Sequence, residues 1–88
     1  MKIAVFDTYV KTREGARLHF DVLVPENKAQ HAKAYAKQWL SEIGLPDNAI
    51  ELESCRFCHN DMPVPEIAQQ IHDKGYFILQ MEGCPNPV

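Results

Sequence analysis

The hydrophobic pattern of this chain changes period repeatedly, from the two of a half-buried strand to the three-and-four spacing of an amphipathic helix and back. Lys2 to Val10 and Ala16 to Val24 are rich in β-branched and aromatic residues. The polar Lys11-Thr12-Arg13-Glu14-Gly15 between them is a hairpin-length connection closed by glycine, which predicts an antiparallel pair. Within the second run Leu18, Phe20, Val22 and Val24 alternate with His19, Asp21 and Leu23, so His19 and Asp21 are expected to point away from the core. Pro25-Glu26-Asn27 ends that strand and offers Asn27 as an N-cap. Ala29, Ala32, Ala36, Trp39, Leu40 and Ile43 then predict a long amphipathic helix that stops at Gly44. Ala49 to Ser54 alternates as a half-buried strand does. Pro65 opens a short helix with Ile67, Ala68 and Ile71 as its apolar stripe and Lys74-Gly75 as its stop. Tyr76 to Glu82 is a nearly continuous apolar run, suited to a strand covered on more than one side. The order ββαβαβ predicts an α+β domain of two layers, a four-stranded mixed sheet with two helices. Residues 1–84 form this single domain and 85–88 a C-terminal tail.

A chain of 88 residues buries only about 60 to 65% of the surface its unfolded form exposes, so a bound metal or partner subunit contributes proportionately more to its stability. The net charge of -3, with Lys and Arg scattered along the chain, leaves no basic face dense enough to neutralise phosphates, which argues against nucleic acid. Asp7 interrupts the first apolar run, and no stretch of membrane-spanning length follows. A secretory leader or membrane anchor is therefore not expected, and the cytoplasm is the default compartment. There, three cysteines in so short a chain point to metal, redox chemistry or burial rather than to a disulfide framework.

Those cysteines form the densest set of soft ligands: Cys55-Arg56-Phe57-Cys58-His59, with Cys84 near the C-terminus. A Cys-x-x-Cys turn commonly presents two thiolates to one zinc ion. A strand–helix–strand unit with the usual right-handed parallel crossover would deliver Cys84 to the same sheet edge. The metal set expected on this reasoning is Cys55, Cys58 and Cys84, with His59 ranked below them and Asp61 or His19 as weaker donors. A thiol redox protein or sensor is the first alternative, weakened because the following helix begins too far on to acidify the thiols through its N-terminus. Reduced cysteines used as small core residues are the second. Cys-x-x-Cys-His is also the attachment sequence of c-type haem, a reading that demands export and a fold able to wrap a porphyrin.

A second candidate cluster lies on the hairpin. If Asp7, Tyr9, His19 and Asp21 share a sheet face, they could do acid–base chemistry, although a solvated hairpin face is the plainer account. His31 and His72 read as surface residues, and Tyr35 and Trp39 as core anchors. Phosphate-binding glycine loops, nucleophile elbows and His-Glu-x-x-His pairs are absent from the sequence, and no catalytic residue is assigned.

The stretches Phe6-Asp7-Thr8-Tyr9-Val10, His19-Phe20-Asp21-Val22, Cys55-Arg56-Phe57-Cys58-His59, Gly75-Tyr76-Phe77-Ile78 and Met81-Glu82-Gly83-Cys84 together resemble a bacterial family called Domain of Unknown Function two-thousand-and-twenty-four. The resemblance spans almost the whole chain. It implies a two-layer α+β fold, implies no activity, and includes Asp7, His19 and Asp21 as well as the thiols. Pro85, directly after Cys84, departs from the family's ending. The function expected from the sequence is a small zinc-type metal-binding or regulatory module without turnover. A thiol redox protein, or a homodimeric structural domain pairing through an exposed edge strand of the hairpin, are the rivals.

Overall fold

A computed structural model describes residues 1–81. Cys84 and the expected tail 85–88 lie outside the described residues. Strands β1 (Ile3–Thr12) and β2 (Arg17–Pro25) form the expected hairpin. Its turn is closed by Gly15 at φ 91°, and the Thr12 amide donates to the Ala16 carbonyl at 2.8 Å. A short 3-10 segment, Glu26–His31, follows before helix α1 (Ala32–Glu42). The helix thus begins later than an Asn27 cap would place it, because Lys28 leaves helical geometry at φ −118°, ψ 17°. Strand β3 spans Ile50–Asp61, α2 spans Pro65–Lys74 and β4 spans Phe77–Gln80. The α2 boundaries follow the sequence signals: proline at the start, and Gly75 in the left-handed conformation at the end.

The four strands lie in the order β3-β1-β2-β4, and every pairing is antiparallel. The α+β fold with four strands and two helices is as expected, but the sheet is antiparallel rather than mixed. Since β3 pairs with one side of the hairpin and β4 with the other, the two late strands occupy opposite edges and run in opposite senses. The parallel crossover expected to unite their carboxyl ends does not exist. Instead, α2 carries the chain across the face of the hairpin from one edge to the other.

The second departure concerns layers. On one face Ala4, Val10, Leu18, Phe20, Val22 and Val24 pack with Ala32, Ala36 and Leu40 of α1, and the Phe20 ring lies 4.8 Å from that of Trp39. On the other face Ile3, Val5 and Leu23 pack with Ile71 of α2. The helices therefore sit on opposite faces of the sheet, not in a single layer. Sequence alternation explains how: β1 and β2 are apolar on both faces at their α2 end, but at the other end only the α1 face is apolar. The remaining half-face, with Asp7, Tyr9, His19 and Asp21, faces away from α1 beside the α2 cluster. Among the described residues no helix is long and apolar enough to cross a membrane.

Candidate functional site

The hairpin register builds the site. Asp7 pairs directly with Asp21, and Tyr9 with His19, so all four side chains leave the same face. Like charges directly opposite on adjacent strands repel, and the neighbouring imidazole answers them: His19 Nε2 lies 2.5 Å from Asp7 Oδ1. The imidazole is stacked on the Tyr9 ring, 4.2 Å between centroids and 8° between planes. The Arg17 guanidinium sits 4.9 Å from the centre of that tyrosine ring and pairs with Glu53 at 3.1 Å.

One ligand atom from each of Asp7, His19 and Asp21 falls within 4.8 Å of the others, and all three residues are half-buried. Burial is the main cause that raises the Asp21 carboxyl above its ordinary range. The charge of Asp7 and a hydrogen bond with it add to the rise, while His19 and His59 oppose it. Two carboxylates held this close favour a shared proton or a cation. The donor set of one imidazole nitrogen and two carboxylate oxygens suits divalent ions of the zinc and manganese type.

The cysteine motif is placed differently. Cys55, Cys58 and His59 all lie inside β3, where a separation of three residues along an extended strand is roughly 10 Å, too far for a turn-like chelate of two thiolates. Cys55 packs against the α1-side core, 3.5 Å from the hydroxyl of the fully buried Thr8, while Cys58 is exposed. His59 stands opposite Val5 and 3.7 Å from Asp61. Among the described residues, these donors form no converging group of three. With Cys84 outside them and β4 on the far edge, the geometric ground for gathering three thiols is gone.

Sequence reasoning did not single out Arg17 or Glu53. The alternation of Arg17, His19 and Asp21 on one strand face is a signal that could have found the first. Glu53 sits at a register irregularity between Tyr9/Ser54 and Val10/Leu52, for which the sequence carries no sign. A shallow cleft elsewhere, lined by Lys11, Arg13, Asp47 and Glu51 among others, mixes both charge signs.

A family model described as Domain of unknown function (DUF2024) matches residues 1–81. Among solved structures, the chain is similar to that of protein NE1680 from Nitrosomonas europaea, determined by NMR. The identity is 45%, 97% of this chain and 100% of that one are covered, and the TM-score is 0.80. No curated protein matches.

Proposed function

We propose, on the premise that the chain belongs to the DUF2024 family, that it is a small binding or regulatory module that holds a divalent cation of the zinc type at Asp7, His19 and Asp21. The observation that carries this reading is the convergence of three ligand atoms within 4.8 Å on the half-face of the sheet that points away from α1. Repulsion between the paired carboxylates supports it, because a cation relieves that repulsion where a proton must do so otherwise. A metal competes with protons for such ligands, so binding should weaken as the pH falls.

Equilibrium dialysis against zinc, followed by elemental analysis, tests the proposal. Wild type is expected to hold a single zinc. Asp21→Asn and His19→Gln are each expected to lower affinity about tenfold or more, equivalent to about 1.4 kcal/mol. A variant with Cys55, Cys58 and Cys84 all changed to serine should bind as wild type does. The opposite pattern, loss in the serine variant and none in Asp21→Asn, would return the metal to the thiols. A wild type that takes up no zinc would remove the reading altogether.

A further inference from the structure

Strand β3 is irregular at two points that bracket the site. Phe6, Asp7, Thr8 and Tyr9 pair in step with Phe57, Arg56, Cys55 and Ser54, and the register slips beyond each end of that stretch. At the Val5 end the slip leaves Cys58 as the additional residue. In an unbroken ladder Val5 would oppose Cys58, and His59 would fall opposite Ala4, on the face that α1 covers. With the slip, His59 opposes Val5 and so shares the face of Asp7 and Asp21. Bulges recur beside functional sites because they re-aim a side chain in this way.

The ring so placed has the equipment of a metal ligand. His59 Nε2 lies 3.7 Å from the Asp61 carboxylate, and the side chain is 52% exposed. A carboxylate beside one ring nitrogen leaves the other nitrogen, here Nδ1, for a cation. His59 is near enough to influence the Asp21 carboxyl electrostatically.

We propose that His59 is the fourth protein ligand of the cation held by Asp7, His19 and Asp21, and that the β3 bulge is the device that delivers it. The inference rests on the metal-binding reading above and deepens it. In the structure the His59 ring lies outside the 4.8 Å group, so ligation requires this exposed side chain to change rotamer. Two imidazole nitrogens and two carboxylate oxygens then make a four-coordinate sphere, which favours zinc over magnesium or calcium, cations that take six or more oxygen ligands.

Calorimetric titration with zinc alone and with magnesium alone, on wild type, His59→Gln and Asp21→Asn, tests this. His59→Gln is expected to keep the melting temperature of the metal-free wild type and to bind zinc about tenfold or more weakly. Magnesium should bind none of the three tightly. As a second readout that needs no substitution, the His59 ring resonances of cobalt-loaded wild type should be strongly shifted. Zinc affinity unchanged in His59→Gln but lost in Asp21→Asn would overturn the fourth ligand and leave the three-residue site standing, as would unshifted His59 resonances beside shifted His19 ones. A wild type that binds no zinc would overturn both.

Discussion

Asp21 carries the clearest conflict between stability and a binding role. Its carboxyl titrates above its ordinary value, so the folded chain holds that proton more tightly than the unfolded chain does. Stability from this group therefore falls as the pH rises from the ordinary carboxylate value through the raised one, and the charged form is a burden at neutral pH. Asp21→Asn is expected to stabilise the metal-free protein by about 0.2–1 kcal/mol, the scale of a like-charge cross-strand pair, while weakening zinc binding. Thermal melts at pH 4 and pH 7 check the sign: the gain should be present at pH 7 and shrink at pH 4. The two described cysteines should also part company. Cys58, exposed at the bulge, is expected to react quickly with a thiol reagent and to tolerate serine within about 0.5 kcal/mol. Cys55, packed against the core beside Thr8, should react slowly. Gly75 gives a third test, since its φ is +96° and a Cβ there would lie 2.9 Å from Tyr35 Oη. Gly75→Ala should cost about 1–3 kcal/mol. Gly15→Ala, at φ +91° with open space around it, should cost only the backbone share of that, both read from urea midpoints.

Of the two helices, α2 is the more lightly attached. Ile71 is its only buried residue, and it joins Ile3, Val5 and Leu23 beneath the helix. Ile71→Ala is expected to cost about 2–5 kcal/mol, and hydrogen exchange in Pro65–Lys74 should accelerate with it. The helix itself was legible from Pro65, the Ile67 and Ile71 spacing and Gly75, because capping and periodicity are local matters. The hairpin was legible for the same reason, and with it the shared face of Asp7, Tyr9, His19 and Asp21. Strand β3 was readable only to Ser54. Beyond that point it runs along the sheet edge with exposed residues from Arg56 to Asp61, so no apolar alternation marks it. The Cys-x-x-Cys spacing therefore reads as a turn, although it is extended chain. Which edge each late strand joins depends on the packing of α1 and α2 against different faces, and no local spacing encodes that.

At the scale of the molecule, a thin core makes ligand linkage large. Zinc at 100 times its dissociation constant should add about 2.7 kcal/mol to the folded state, which for a domain of this size is a rise of roughly 10–20 °C in melting temperature. Differential scanning calorimetry with and without a chelator reads it directly, and Asp21→Asn should flatten the difference. The strand order has a further consequence for how the chain is made. The hairpin is finished by Pro25, yet its two flanks are closed by segments that begin only at Ile50 and Phe77. A nascent chain thus leaves the ribosome with its central ribbon bare on both sides, and the flank that awaits Phe77 stays open longest. During that interval, unpaired amides and carbonyls invite a neighbouring copy, and prompt arrival of the last strand protects the newborn protein from clumping.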